Sequence, residues 1–309
     1  MATEKKLSGV VPIIPTPFRE DESIDFDALA SSIEFAAKCG LSACCLPAFG
    51  SEFYKMLESE RKQVIETAIK AANGNIAVVA QSNHPSAKNA AALAQMHTDM
   101  GADLISFAMP RQFALTQPDQ LDYAKQICRA TTLPVLIQDF NPGGPTVGGD
   151  FARQLADECP NFRYLKLEEP LMSVKVESIR QATGDRIGVL EGWGGMYLLD
   201  LIPSGICGLM PVLGYADVLQ KVWTLGKAGD FENAMNLFQY VLPQTVFALQ
   251  NMELLHTLEK KLLASRGIIP ESSTFVRKPT WTPDAHTLEH GLKVNEWSLR
   301  AVKILTELR

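Results

Sequence analysis

The sequence predicts a (β/α)8 barrel, an α/β fold in which eight parallel strands form a closed ring inside a layer of helices. Up to residue 212 the chain repeats one pattern, a short apolar strand, a loop with Gly, Pro, Asn or Asp, and an amphipathic helix. Strands that alternate with helices pair in parallel through right-handed crossovers. The pattern occurs eight times, and the Gly-x-Gly-x-x-Gly fingerprint of an open nucleotide-binding sheet is missing. A closed barrel is therefore favoured over an open sheet.

The eight predicted strands are short apolar runs with turn-forming residues on either side. Such runs are typical of parallel strands that are buried on both faces. The predicted strands are Val10–Ile14, Ala43–Pro47, Ile76–Ala80, Leu104–Ala108, Val135–Gln138, Tyr164–Glu168, Gly188–Glu191 and Gly208–Val212.

Between the strands, apolar residues recur at helical spacing. Several of these stretches end at Gly or Asn, which adopt the left-handed backbone of a helix C-terminus more easily than other residues. The predicted barrel helices are Phe26–Cys39, Glu58–Ala72, Ala87–Met100, Gln117–Ala130, Asp150–Cys159 and Val174–Thr183.

After Gly214 the strand pattern stops and long amphipathic stretches take over. These predicted helices are Asp217–Ala228, Phe231–Leu249, Met252–Ser265 and Ala285–Leu308, and a loop from Gly267 to Asp284 joins the last two. The sequence thus predicts two regions, a barrel that carries the active site in residues 1–214 and a helical appendage in residues 215–309.

Composition limits what this barrel binds. The chain of 309 residues has a net charge of −6 and no basic cluster, which argues against a nucleic-acid or anionic-membrane partner. No stretch reaches the roughly 18 apolar residues that a membrane span needs. The segment Met1–Lys6 lacks the apolar region of a secretory signal. We expect a cytoplasmic protein whose partner is a small molecule.

Cysteine and histidine patterns give little sign of a metal. The six cysteines lie in apolar contexts without a Cys-x-x-Cys pair, which predicts reduced core residues. His286–His290 has the His-x-x-Glu-His spacing of one metalloprotease class. It lies in the helical tail far from the strands, where a solvated helix face explains it equally well. We expect no cofactor and no metal.

Lys166 is the most informative single residue, because it lies in a strand that alternates leucine with ionisable side chains. If the leucines pack against the covering helices, Tyr164, Lys166 and Glu168 share the opposite face. An amine on that face loses much of its hydration, which makes it a candidate nucleophile. The alternative is an exposed edge strand with ordinary surface charges.

In a barrel of this kind the reactive groups lie at the carboxyl ends of the strands and in the loops that follow. The residues at those ends are Glu52, His84, Arg111, Gln138, Asp139, Lys166, Glu168, Glu191 and Trp193, with Met210 on the last strand. Polar side chains therefore converge on one end of the predicted barrel.

Seven short motifs in this order resemble the dihydrodipicolinate synthase/N-acetylneuraminate lyase family of class I, Schiff-base-forming lyases, over nearly the whole chain. The motifs are Gly9–Pro12, Thr16–Phe18, Gly50–Phe53, Glu60–Arg61, Leu133–Val135, Tyr164–Glu168 and Ala228–Asp230. By this resemblance Lys166 is the lysine that forms the imine, and the loop at Gly50 and Ser51 binds the carboxylate of a 2-oxo acid. Backbone N–H groups of a small-residue turn and a hydroxyl are suitable donors for that carboxylate, although a plain turn explains the same residues.

Two departures from the family pattern bear on the substrate. Gln138 stands where the family has a tyrosine that relays protons, and a glutamine cannot relay them through an ionised form. The arginine with which dihydrodipicolinate synthases bind a second carboxylate has no counterpart in Asn141–Thr146. The motifs at Phe49–Glu52, Gln81–His84, Ile137–Asp139 and Lys166–Glu168 look more like those of 2-keto-3-deoxy sugar acid dehydratases, such as L-2-keto-3-deoxyarabonate dehydratase.

The resemblance therefore implies dehydration of a 2-keto-3-deoxy sugar acid through a lysine imine and enamine. Three alternatives stay open: retro-aldol cleavage that releases pyruvate, a dihydrodipicolinate synthase-like condensation, and a barrel that binds 2-oxo acids without catalysis. Family members commonly form homotetramers, built as dimers of dimers, so a homotetramer or a dimer is expected.

Roles for the remaining candidates have equally plausible structural alternatives. Glu168 is either the base that removes the C3 proton or an ion-pair partner that orients Lys166. His84 is an acid for the leaving hydroxyl or a helix cap, and Glu52 meets substrate or stabilises a helix start. Asp139 is expected to bond substrate hydroxyls, and Trp193 is expected to wall the pocket or to belong to the core.

Overall fold

The computed structural model describes residues 6–112, 114–141 and 144–307. Residues 1–5, Pro142, Gly143 and Leu308, to which parts of the sequence analysis refer, lie outside the described residues.

Eight parallel strands form one sheet in the order β1-β8-β7-β6-β5-β4-β3-β2. The strands are β1 Gly9–Val10, β2 Ala43–Leu46, β3 Ala77–Gln81, β4 Leu104–Ala108, β5 Val135–Phe140, β6 Phe162–Glu168, β7 Gly188–Glu191 and β8 Gly208–Leu209. Ile13 bridges Cys45 on one side and Val212 on the other, which closes the ring between β1 and β2. The predicted (β/α)8 barrel is confirmed.

The first and last strands are shorter than predicted, and proline explains both differences. Pro12 and Pro211 lie inside the predicted runs and have no backbone N–H for a strand ladder. The regular ladder therefore ends at Val10 and Leu209, and beyond it Ile13 forms isolated bridges to both neighbouring strands.

The helices lie close to the predicted stretches. They are α1 Phe26–Lys38, α2 Glu58–Ala72, α3 Ala87–Asp99, α4 Gln117–Arg129, α5 Gly149–Glu158, α6 Ser173–Thr183, α7 Leu198–Leu201, α8 Ala216–Lys227, α9 Phe231–Ala248, α10 Met252–Ser265 and α11 Ala285–Glu307. Only α7 was not predicted, because a helix of four residues is too short to show a periodic pattern.

Strand alternation separates two apolar layers. Leu165 and Leu167 of β6 belong to the core between the strands and the helices. Tyr164 of the same strand packs inside the barrel with Leu136 and Leu190. Lys166 lies between the two leucines and so points inward, beside Gln138 on β5 and Leu190 on β7.

The helices after β8 complete the barrel and extend beyond it. The side chain of Gln220 in α8 accepts a hydrogen bond from the backbone N–H of Val10 at 2.8 Å, which ties α8 to β1. Asn295 of α11 donates to the carbonyl of Leu258 in α10 at 2.9 Å. The division into regions at residue 214 stays a prediction. No helix within the described ranges has both the length and the apolar character that crossing a bilayer requires.

The His-x-x-Glu-His segment lies on the exposed surface of α11. Glu289 pairs with Lys293 at 2.6 Å, and the ring of His290 lies 4.8 Å from that of Phe247. Both residues therefore have partners in the helical region.

Candidate active site

A cavity of about 280 Å³ lies at the carboxyl ends of the barrel strands. Barrel strands and their loops form one side of it, and α9 with the α9–α10 connection forms the other. Six of the residues singled out from the sequence line it: Gly50, Gln138, Lys166, Glu168, Trp193 and Met210.

Lys166 is held in this cavity with little access to water. The residue is 4% exposed, and its Nζ lies 3.1 Å from Oε1 of Glu168. Gly192 of the loop after β7 allows this arrangement, because a Cβ at that position would lie 2.5 Å from Cγ of Glu168 and 2.8 Å from Cε of Lys166. The site thus places one amine and one carboxylate side by side in a sheltered space.

A chain of amide side chains fixes Glu168 from the other side. Gln138 donates from Nε2 to Oε1 of Glu168 at 2.6 Å and accepts from Nε2 of Gln81 at 2.9 Å. Gln81 also donates to Oδ1 of Asn83 at 3.2 Å. Gln138 therefore holds the Glu168 carboxylate in position beside Lys166. Gln81 and Asn83 had no predicted role beyond a motif, although the end of a barrel strand is where such residues are expected.

The loop after β2 makes a tight turn beside the cavity. The hydroxyl of Ser51 donates to the carbonyl of Ile14 at 2.6 Å and accepts from the N–H of Ala48 at 3.0 Å. A Cβ at Gly50 would lie 3.0 Å from Cγ2 of Ile13, so the turn packs closely on the barrel wall. Ser51 is fully buried and shapes the turn, whereas Gly50 lines the cavity.

Glu52 follows this turn in the left-handed conformation, with φ of 60°. Its side chain is fully buried and does not line the cavity. One oxygen pairs with Lys260 of α10 at 2.5 Å, and the other pairs with Lys55 at 3.0 Å. The carboxylate therefore connects the turn to the helical region.

Asp139 and His84 also lie away from the cavity. Asp139 accepts two hydrogen bonds from Arg111, at 2.8 and 2.5 Å, and one from the backbone N–H of Val147 at 2.7 Å. Because Asp139 neighbours Gln138 on β5, the two side chains face opposite sides of the strand. His84 accepts from the N–H of Ser86 at 2.9 Å, at the start of α3.

Glu191 is a buried carboxyl at the end of β7 that received no predicted role. Burial raises its pKa to about 7; the charge of Glu168 acts in the same direction, and the N–H groups of Tyr197 and Gly195 and the charge of Lys166 oppose the rise. Glu191 does not line the cavity. It directly precedes the loop that carries Gly192 and Trp193.

The loop after β7 forms the aromatic part of the cavity wall. Trp193 lines the cavity, and its ring meets that of Tyr197 edge to face at 6.2 Å. Gly194 has φ of 68°, and a Cβ there would lie 2.8 Å from Thr245 and 2.9 Å from Leu249. The loop therefore lies directly against α9.

Comparison with known proteins gives one consistent result over nearly the full chain. The model of the dihydrodipicolinate synthetase family matches residues 6–291. The L-2-keto-3-deoxyarabonate dehydratase of Azospirillum brasilense is 23% identical, with 89% of this chain and 90% of that protein covered. A probable 2-dehydro-3-deoxy-D-pentonate aldolase of Escherichia coli K12 is 30% identical over 44% of this chain and 45% of its own length. The crystal structure of dihydrodipicolinate synthase from Rhodopseudomonas palustris superposes with a TM-score of 0.87 at 25% identity, covering 96% of this chain and all of that one (100%).

Proposed function

The chain belongs to the dihydrodipicolinate synthetase family, a family of lyases, and on this premise we propose that Lys166 forms a Schiff base with C2 of a 2-oxo acid. One observation carries the proposal: a lysine amine lies within a sheltered cavity of the barrel, 3.1 Å from a carboxylate that can take its proton. Nothing about this chemistry requires a cofactor.

The substrate carboxylate lies on the turn after β2. Phe49 and Gly50 line the cavity there, and their backbone N–H groups are donors that do not titrate. Ser51 supports them by fixing the turn through its bonds to Ile14 and Ala48. The carbonyl carbon next to that carboxylate then faces Lys166.

Imine formation needs a group that moves protons, because Gln138 cannot do what the family tyrosine does. Glu168 supplies it. It takes a proton from Lys166, the free amine attacks C2, and the proton passes to the carbinolamine hydroxyl, which leaves as water. Gln138 holds Glu168 in place through its bond of 2.6 Å.

The iminium makes the C3 proton acidic, and the regenerated Glu168 carboxylate removes it to give the enamine. For a 4-hydroxy-2-oxo acid, the enamine electrons then form the C3–C4 double bond as the C4–O bond breaks. The hydroxyl takes the proton held by Glu168 and leaves as water, and a second water hydrolyses the iminium to free Lys166. This is the dehydration of a 2-keto-3-deoxy sugar acid, such as L-2-keto-3-deoxyarabonate, which the Azospirillum relative supports by its name.

Retro-aldol cleavage with release of pyruvate is the second candidate, because it starts from the same iminium and breaks the C3–C4 bond instead of a C3–H bond, and because the Escherichia coli relative carries an aldolase name. Condensation with a second, acidic substrate is disfavoured. Lys166 is the one cationic side chain among the described residues that line the cavity, and Arg111 is engaged by Asp139. A second carboxylate would have no partner.

Of the other residues predicted to bind substrate, Trp193 and Met210 line the cavity and are proposed to contact it. Glu52, His84 and Asp139 do not line the cavity, so for them we replace the predicted contact with a role in holding the surrounding loops. Residues 1–214 carry the chemistry and residues 215–309 complete the cavity. We also propose a cytoplasmic location and a homotetramer or dimer. Light scattering of the purified protein will test the oligomeric state.

Borohydride reduction in the presence of pyruvate, followed by peptide mass spectrometry, tests the central proposal. We expect one covalent adduct, on Lys166, that is absent from Lys166→Ala and present in Lys62→Ala, a change at an exposed lysine of α2. Folded protein that forms no adduct with any 2-oxo acid would be a binding barrel without catalysis. Turnover by Lys166→Ala would exclude the imine.

A further inference from the structure

We propose that Gln244 of α9 is a specificity residue that donates a hydrogen bond to an uncharged oxygen at the far end of the substrate, beyond C4. This inference rests on the proposed function and adds the class of substrate. It predicts a 4-hydroxy-2-oxo acid whose C5 carries a hydroxyl and not a carboxylate.

The side-chain amide of Gln244 is buried without a partner. Gln244 is 2% exposed and lines the same cavity as Lys166, and its Nε2 makes no hydrogen bond to any described residue. An unpaired buried amide group costs about 1–3 kcal/mol. A ligand oxygen in the cavity would satisfy this donor.

Other polar side chains on this side of the cavity are already engaged with the backbone. Thr245 donates to the carbonyl of Val241 at 3.4 Å, and Gln250 donates to that of Phe247 at 3.0 Å. Asn251 caps α10 by accepting from the N–H of Glu253 at 2.8 Å. Gln250 and Asn251 are also exposed at the rim. Gln244 is therefore the buried polar residue of α9 that lines the cavity and whose amide nitrogen has no partner among the described residues.

The surroundings of Gln244 exclude a charged substrate end. Apolar side chains form most of this wall, among them Trp193, Val241, Leu249 and Leu255. Among the described residues of the lining, the only side chains that carry a charge near neutral pH are Lys166 and Glu168, and both belong to the reacting end. A carboxylate placed beside Gln244 would lose its hydration without gaining a cation, which is strongly unfavourable.

Three substrates of equal carbon number test the proposal: 2-keto-3-deoxypentonate, 4-hydroxy-2-oxopentanoate and 4-hydroxy-2-oxoglutarate, which differ at C5 as hydroxymethyl, methyl and carboxylate. We expect kcat/KM to fall about tenfold from hydroxymethyl to methyl, as one hydrogen bond is lost, and about 100-fold or more to carboxylate. The Kd of each compound for Lys166→Ala, measured by calorimetry, gives the same comparison without turnover.

Gln244→Leu isolates the donor. We expect it to lower kcat/KM, or to raise Kd in the Lys166→Ala background, about tenfold for the hydroxymethyl compound and to leave the methyl compound unchanged. Gln239→Leu, at an exposed glutamine of the same helix that does not line the cavity, is the matched control and should change neither. Without substrate, Gln244→Leu should unfold at a higher temperature, because an unpaired buried amide is removed.

Equal losses on the hydroxymethyl and methyl compounds, or a carboxylate compound that reacts or binds as well as the hydroxymethyl one, would overturn the proposal. The pyruvate adduct separates this outcome from failure of the proposed function. An adduct in wild type and in Gln244→Leu together with unaltered selectivity rejects the role of Gln244 alone, whereas a missing adduct in wild type rejects both.

Discussion

Lys260 and Glu52 form a fully buried ion pair, with Nζ of the lysine 2.5 Å from Oε1 of the glutamate. The same ammonium donates to the carbonyl of Phe275 at 2.7 Å and lies 4.6 Å from the centre of the Phe18 ring. Burial lowers the pKa of Lys260, and the charge of Glu52 opposes that shift. The pair joins α10 to the residue that follows the turn at Gly50 and Ser51.

Lys260→Met should destabilise the protein by about 3 kcal/mol, because it leaves the buried Glu52 carboxylate with Lys55 as its one remaining cation. Urea unfolding followed by circular dichroism measures the change. Lys261→Met is the matched control: the neighbouring lysine is partly exposed and pairs with Glu271, so its loss should cost less than about 1 kcal/mol. Equal effects of the two substitutions would contradict the importance of the buried pair.

Gly192→Ala should slow formation of the pyruvate adduct by about tenfold or more, because the new methyl group would displace Lys166 and Glu168 from their contact. The rate of borohydride trapping measures it. Gly148→Ala serves as control, since a Cβ there meets nothing within 4 Å. An unchanged trapping rate in Gly192→Ala would show that the position of the two side chains does not limit imine formation.

Glu168→Gln should still form the adduct, more slowly, but should stop exchange of the C3 protons of pyruvate with deuterated water, because an amide cannot accept the proton. Proton NMR of pyruvate measures the exchange. Exchange at the wild-type rate would assign the base to another group and leave Glu168 as an ion-pair partner of Lys166.

Gln138→Met should reduce the same exchange by about tenfold while retaining the adduct, because Glu168 loses the donor that orients it. Ser106→Ala is a useful comparison: its buried hydroxyl, on the neighbouring strand β4, has no hydrogen-bond partner among the described residues. If the Gln138→Met variant exchanged the C3 protons of pyruvate as fast as wild type, the amide of Gln138 would not be needed to orient Glu168.

Glu191 should make the stability of the protein fall as pH rises. Its pKa is raised from 4.5 to about 7 by burial, so between these values the unfolded chain ionises while the folded chain keeps its proton. The resulting loss of unfolding free energy is absent below pH 4.5 and complete above about pH 7, where it is about 3 kcal/mol. Glu191→Gln should therefore be more stabilising at pH 8 than at pH 5 in urea unfolding. A difference that does not change with pH would reject the shift.

Local patterns were sufficient to predict the barrel and the inward orientation of Lys166. The spacing of apolar residues predicts each strand and each helix of three or more turns. The alternation of leucine and ionisable residues around Lys166 predicts that its amine points into the barrel. The same rule applied to β5 shows that Gln138 and Asp139 cannot both face the interior. Both residues were predicted to lie at the site, but Asp139 faces the outer side of the strand, where it accepts a hydrogen bond from Arg111.

Contacts between segments that are distant in the sequence could not be predicted from the spacing of apolar residues within one strand or helix. Glu52 and Lys260 are 208 positions apart, and a glutamate at a helix start gives no sign of a partner in the tail. Gln244 lies on an amphipathic helix where a polar residue would ordinarily be assigned to the surface. Its burial depends on how α9 meets the loop after β7, which the spacing of residues within either segment does not determine.

The two ends of the cavity come from separate stretches of the chain: the strands supply the amine and its carboxylate, and residues 241–255 supply the opposite wall. On the proposed imine chemistry, exchange of the tail segment is expected to change which molecules enter the cavity while the reacting groups stay in place. Chimeras between relatives, joined within the long helical tail, are therefore a way to make this barrel accept substrates with other carbon skeletons.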